Sequence, residues 1–458
     1  MIQVSEPAQP PAASLADAAV QLAQLPRYRR WGTLTAVRGA ALSISGLGNR
    51  LAIGDRLQVE RPADKSGPSA GAPVVPCEIV AFAADAAIAV PEGPTEGLAP
   101  GARAWLEESP VLYPNDSWLG RVVDGLGQPL DGLGPLPRGR RPAPLRQPPP
   151  AALGRRLIGE RLETGIRTLD VFTPVCRGQR LGIFAASGVG KSTLMGMMAR
   201  FINADVIVVG LIGERGREVR EFLDRTLDQA ARQRCVVVVA TSDQPALARR
   251  RAAQASLAVA EYFRTTGRQV FLLLDSITRL AHAQREIGLA AGEPATARSY
   301  TPSVFTELPA LLERAGPGQE GEGDITAIFT VLVDGDDHDE PIADAVRGIL
   351  DGHIVLDRRI GERGRWPAVD VLRSVSRALP RCHNADENAL LADARRLLGA
   401  YADMAEMIRL GAYRSGSDAL LDLAIQRQPG LEGFLSQGVD ERSTSEAAFA
   451  QLAEILHP

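Results

Sequence analysis

Five apolar runs lack the polar alternation of a half-exposed strand: RLGIFA at 180–185, DVIVVGLIG at 205–213, CVVVVAT at 235–241, QVFLLLD at 269–275 and ITAIFTVLV at 325–333. Strands that are apolar on both faces must be covered on both faces, as in a mostly parallel sheet flanked by helices. Helical patterns fill the gaps near 191–202, 216–232, 246–266 and 277–289, so this stretch reads as an α/β layer fold. Ligands of such sheets gather beyond the carboxyl ends of the strands.

The most specific motif lies there. The run Ala185-Ala186-Ser187-Gly188-Val189-Gly190-Lys191-Ser192-Thr193 follows the first strand and opens a helix. It is a phosphate-binding loop with alanine at the first glycine position. Gly188 and Gly190 let backbone N–H groups turn inward, and the helix start directs its positive dipole end at the same point. Lys191 supplies a compact charge to the β/γ oxygens of a nucleoside triphosphate, and the Ser192 hydroxyl is suited to Mg²⁺. Of 51 basic residues only Lys65 and Lys191 are lysine, so a lysine here has a chemical reason that general arginine usage does not supply. Asp275 ends its strand where a carboxylate holds the magnesium shell. Glu214 ends another, beside the phosphate loop, where a carboxylate can orient and activate water. Glu218, one helical turn on, reads as a structural ion-pair residue. No Asn-Lys-x-Asp arrangement supports guanine specificity.

The flanks differ in texture. Residues 1–26 comprise a Pro/Ala-rich leader and a short amphipathic helix, Ser14 to Leu25, that either lies on its own domain or awaits a partner. Short β-like runs over 27–108 predict a small closed barrel. Nine basic and nine acidic residues in that span argue against an oligonucleotide-binding barrel, and Tyr28, Trp31, Phe82 and Trp105 are expected in its core. A Pro/Arg-rich connector runs from Leu136 to Pro150, the nucleotide-binding core extends over 109–380, and 381–458 reads as a helical domain with helices at 389–410, 419–426 and 443–456. Cys77, Cys176, Cys235 and Cys382 read as scattered core thiols. The chain of 458 residues carries a net charge of −4, which gives no general attraction to nucleic acid or anionic lipid. No bilayer-length apolar run or secretory signal is evident, and a cytoplasmic protein is expected.

Together, residues 187–192, GERGREV at 213–219, LLLDSITRLAHAQREI at 272–287, GEPATARSYTPSVFTELPALLERAG at 292–316 and PAVDVLRSVSR at 367–377 identify a family. They resemble the catalytic subunits of rotary ATPases, and most of all the ATPases of type III protein export, those of the flagellum and its injectisome relatives. The resemblance implies a RecA-like P-loop core between a small N-terminal β-barrel and a C-terminal helical domain. It implies ATP and Mg²⁺ as ligands, Glu214 as general base and Asp275 as the magnesium-shell carboxylate. By the same resemblance Arg215 and Arg279 lie near the γ-phosphate and the subunit interface, Trp366 stacks on adenine, and Arg377 reaches into the neighbouring subunit's site. A homohexamer is implied, docked on the inner-membrane export apparatus. Its implied partners are a stator-like regulator at the N-terminal helix, a central-stalk protein, a membrane export gate and chaperone-bound substrates. Ala186 replaces a glycine of the flagellar-type loop and would weaken binding if that backbone needed a positive φ. Residues 411–418 match the export branch and lack the acidic loop of the synthase β subunit; Tyr413 and Arg414 there either contact stalk or gate or form a plain surface loop.

Overall fold

The computed structural model describes residues 31–61, 73–83, 85–333 and 340–457, so the leader, the helix at 14–25 and Tyr28 lie outside the described residues. The chain divides into two compact units after Ser109.

The first unit is a closed antiparallel barrel in the order Trp31–Arg38, Ala41–Ser45, Ala86–Pro91, Val74–Ala83, Arg56–Glu60, Arg103–Glu107. Alternation decides its interior: Leu34, Leu42, Ile44, Leu57, Val59, Val75 and Ile79 point inward and are fully or almost fully buried. Two of the aromatic residues expected inside are exposed. Trp31, 55% exposed, falls on the outward phase of its strand, whereas Phe82, 51% exposed, stands opposite the buried Ala87 but near the end of its strand, beyond a register shift. Trp31 stands opposite Trp105, which is partly buried, and carries the Arg103 guanidinium 4.5 Å from its ring centroid.

In the second unit the five apolar runs are neighbours. The sheet order is Val369–Ser376, Gly352–Leu356, Arg180–Ala185, Asp324–Leu332, Val270–Asp275, Val206–Glu214, Cys235–Thr241, Val122–Val123. All neighbours are parallel except the first pair, where Val369–Ser376 runs antiparallel to Gly352–Leu356. Successive residues of one strand feed opposite cores: Ile207, Val209 and Leu211 pack on one side, Val206, Val208 and Ile212 on the other. The helices Ala246–Thr265, Ile277–Ala290 and Pro302–Leu312 cover the second side. The C-terminal helices Ala385–Arg409, Ala419–Leu435 and Ser445–Leu456 join the first through Leu391, Leu397, Phe434 and Leu452.

Three departures from pattern reading have local causes. The stretch 216–232 is broken into Gly216–Glu221, a π-helical turn at Phe222–Thr226 and Gln229–Gln233, the last opened by an Asp228 cap. The helix 419–435 runs through Pro429 because Leu431, Phe434 and Leu435 are buried beyond it, and packing outweighs the missing N–H. The connector is tied down: Ala143–Pro144 pairs with Val111–Leu112, and the Leu145 carbonyl accepts from Arg314 Nη1 at 2.8 Å.

Arg314 also donates to both oxygens of Glu261, at 2.9 and 2.6 Å, and Gln147 of the connector bonds the same carboxylate. Both partners are almost fully buried. Removing one charge of a buried pair leaves the other uncompensated. Glu261→Ala is therefore expected to lower unfolding stability by about 3–5 kcal/mol, read as a fall in the urea midpoint, with Glu261→Gln losing less.

Candidate active site

Three strand ends and one helix start converge. Ala185 closes its strand, Ala186 to Gly190 form the loop, and Lys191 opens the helix Lys191–Phe201 with Ser192 and Thr193 exposed in its first turn. Gly188 and Gly190 have φ of +81° and +85°, the left-handed region that glycine occupies without strain. Ala186 does not: the non-glycine residues with positive φ among those described are Arg298 and Ser299. The extra methyl at 186 therefore carries no backbone penalty, which removes the concern raised by its sequence.

The Lys191 ammonium is hydrogen-bonded to Asp275 Oδ1 and stands 3.7 Å from Glu214 Oε1. All three side chains are largely buried. Asp275 is held from the other side by Thr330, whose hydroxyl donates to Oδ1 at 2.6 Å. Glu214 Oε1 is buried and has no hydrogen-bond partner, so it keeps an unused acceptor position beside Lys191. Burial, and then the Asp275 charge, raise the Glu214 carboxyl to about 7 against the pull of Lys191. A carboxylate tuned near neutrality is suited to take a proton and return it.

The remaining candidates divide by position. Arg279 lies on the first turn of Ile277–Ala290 with its stem against Gly213, where a methyl would meet its Cβ at 2.9 Å. Its Nε is buried without a partner. Arg215 is exposed just before the helix Gly216–Glu221; its N–H donates to Glu218 Oε2 at 3.4 Å, so Glu218 caps the turn. Trp366 is 43% exposed and its ring overlies the phosphate loop: a methyl on Gly190 would meet its Cζ3 at 2.6 Å. Its carbonyl accepts from the Gln437 N–H at 2.8 Å, tying the ring's backbone to the C-terminal helices. Arg377 is the residue not brought to this cluster. Val369 stands beside Leu356 at the phosphate-loop end, whereas Ser376 stands beside Gly352 at the far end. The antiparallel strand thus carries Arg377 roughly 15 Å along the sheet from its own loop, at about 3.3 Å per residue. Its side chain is exposed.

Sequence reading missed two residues. Thr330 sits in an apolar run as the one polar side chain near the strand end, which is the signal it left. Arg358 donates to the Ser187 carbonyl at 3.2 Å, and only the strand pairing reveals that contact.

A phosphate loop facing two strand-end carboxylates defines a P-loop nucleoside triphosphatase. The ATP synthase alpha/beta family nucleotide-binding domain matches residues 165–376, and the T3SS EscN ATPase C-terminal domain matches residues 384–454. The flagellum-specific ATP synthase of Caulobacter vibrioides is 52% identical over 93% of this chain and 96% of its own length. The assembled ATPase EscN of the enteropathogenic E. coli type III secretion system superposes with a TM-score of 0.85 at 37% identity, over 93% of this chain and all of that one. EscN in complex with its central stalk EscO gives 0.81 at the same identity and coverage. The chain belongs to the ATPases of type III protein export, within the ATP synthase alpha/beta family. It is an ATP hydrolase.

The contact between Gly190 and Trp366 has a measurable consequence. Gly190→Ala combines a strained φ with a clash against the indole, so the ring must move. Weakening of ATP-analogue binding by about 1–3 kcal/mol is expected, together with altered Trp366 fluorescence; Ala186→Gly is expected to change neither.

Proposed function

We propose that this chain is the flagellar member of the family, a Mg²⁺-dependent homohexameric ring whose ATP turnover energises protein export. The observation that carries the reading is the separation of Arg377 from the Lys191, Glu214 and Asp275 cluster of its own chain. An exposed guanidinium at the opposite sheet end has no phosphate to serve unless a second copy supplies one. A ring provides that neighbour at every site.

At such a site the loop N–H groups and Lys191 neutralise the triphosphate, and Trp366 offers a face for the base. Glu214 takes the proton of a water as it attacks the γ-phosphate in line, and its raised proton affinity suits it to that work at neutral pH. Arg279 stands at the same strand ends with an unpartnered Nε, and Arg215 opens the adjoining turn; both would meet phosphate or the adjoining subunit. Ser192 and Asp275 are the residues that would hold Mg²⁺, which when bound supplies charge neutralisation at the β and γ oxygens.

Flagellar use is favoured over the injectisome by 52% identity to a flagellum-specific relative, against 44% for a type 3 secretion system ATPase. The stalk partner is inferred from EscN, which has been seen with its stalk EscO. In the loop 411–418 of this chain, Tyr413 is anchored by donating to Asp422 Oδ1 at 3.0 Å, which leaves the exposed Arg414 as the contacting group. The segment Ser14 to Leu25 would receive the stator-like regulator. The export gate and chaperone-bound substrates complete the partners, and nucleic acid is not one of them. Working location is the cytoplasmic face of the inner membrane. No helix among the described residues is long and apolar enough to cross a membrane.

Mixing tests the ring. Glu214→Gln and Arg377→Ala are each expected to lower kcat, by about 10²–10⁴-fold and 10³–10⁵-fold respectively. Combined in equal amounts they recover activity, because about one interface in four joins an intact Glu214 to an intact Arg377. Absence of recovery in demonstrated mixed assemblies overturns the shared site. Flagellar use is tested by chromosomal deletion in the source organism: loss of swimming and of flagellin export is expected, and retention of both overturns it.

A further inference from the structure

Two of the four cysteines are not scattered. Cys176 ends the ribbon formed by Arg161–Leu162 and Val175–Cys176, and Cys382 lies in the turn between the strand Val369–Ser376 and the helix Ala385–Arg409. Their side chains interact, and Arg161, which stands opposite Cys176 in the ribbon, bonds the ring of His383, the residue after Cys382. The two segments are also stapled by polar contacts. The Cys176 N–H donates to Gln179 Oε1 at 2.9 Å, and Gln179 Nε2 donates to Ser376 Oγ at 2.9 Å. Ser376 in turn donates to the Pro174 carbonyl at 2.8 Å. Cys176 is buried, whereas Cys382 is only partly covered and can be reached by a small solute.

The surroundings favour a thiolate at the reachable position. Arg161 donates to His383 Nδ1 at 2.9 Å and to Glu387 at 3.0 Å, and His383 Nε2 is 3.0 Å from the Val171 carbonyl. A guanidinium only donates and a carbonyl only accepts, so the His383 proton sits on Nε2. The neighbouring Cys176 thiol, with the Arg161 charge behind it, holds the Cys382 thiol well below the ordinary range despite partial burial. The same interaction and burial push Cys176 up. Cys77 and Cys235 differ: burial pushes each up to about 12, which makes them inert.

We propose that Cys176 and Cys382 are a peroxide-oxidisable pair, a modification site at the seam between the sheet and the C-terminal helices, whose disulfide ties the turn after Arg377 to the buried ribbon. In the first step the Cys382 thiolate attacks hydrogen peroxide; an S–O bond forms, the O–O bond breaks and hydroxide leaves. Cys176 then attacks the sulfenic sulfur; the S–S bond forms, the S–O bond breaks, and the departing oxygen leaves as water with the Cys176 proton. Two sulfurs lose two electrons in total, and one peroxide is reduced to one water and one hydroxide. The Arg377 N–H is bonded to the Asp351 carbonyl at 2.9 Å and Cys382 N–H to the Ala378 carbonyl at 3.2 Å, so the turn between them is short and a bond at Cys382 restricts it. That this slows hydrolysis rests on Arg377 serving the neighbouring subunit.

The test treats the reduced full-length protein with hydrogen peroxide, blocks free thiols with N-ethylmaleimide, digests without reductant and records masses while ATP turnover is followed in parallel. The expected result is a Cys176–Cys382 linked peptide two hydrogens lighter than its parts, with Cys77 and Cys235 still free. Turnover is expected to fall at least about tenfold and to recover with dithiothreitol. Cys382→Ser should keep reduced-state turnover and lose both responses, and Cys176→Ser should stop at the Cys382 sulfenic acid. Oxidation of wild-type Cys382 to sulfinic acid without a linked peptide overturns the proposal, as does a linked peptide with unchanged turnover. Failure of the Glu214 and Arg377 mixing experiment would remove the ring reading while leaving the mass readout intact.

Discussion

One ammonium group between two carboxylates organises the catalytic end of this molecule. Lys191, Asp275 and Glu214 come from a helix start and two strand ends, and each is largely removed from water. Two negative charges and one positive charge cannot all be ionised there without excess charge in a poorly solvated place. The conflict falls on Glu214, whose affinity for a proton is raised by burial and then by the Asp275 charge. Thr330 and the loop N–H groups complete the arrangement. The parallel sheet beneath fixes the separations, because its strands end in register: Leu211 pairs with Asp275, and Ala185 with Leu332.

Much of this was legible in the residues. The five apolar runs are five strands of one sheet, and the loop, Glu214 and Asp275 were found by their positions at strand ends. What escaped depended on tertiary pairing. Val122–Val123 is too short to carry a period, yet it extends the sheet by pairing with Val237 and Val238. Arg358 reaches Ser187 only because the strand before it, Gly352–Leu356, lies next to Arg180–Ala185. Trp31 and Phe82 illustrate the reverse error. An aromatic in a small barrel suggests core, but interior volume is limited and aliphatic residues of the inward phase already fill it. The two cysteines had no local signal at all, since a ribbon and a turn distant in sequence bring them together.

The reversed edge strand has a wider meaning for how chemistry is distributed. Seven parallel strands direct their carboxyl ends to one rim, whereas Val369–Ser376 delivers its own end to the other. A chain built only of parallel strands would gather every functional group on one rim. This inversion gives the molecule two chemically distinct edges, one carrying the phosphate loop and the other carrying Arg377.

The phosphate loop carries an alanine at 186, and the backbone there accommodates its methyl group. An alanine has fewer accessible conformations than a glycine when the segment is unstructured, so less disorder is lost when it becomes ordered. At a compatible position that difference is about 0.4–1 kcal/mol. The alanine therefore favours the folded chain through its unfolded state, and leaves the shape that receives phosphate to Gly188 and Gly190, where the turn demands a positive φ.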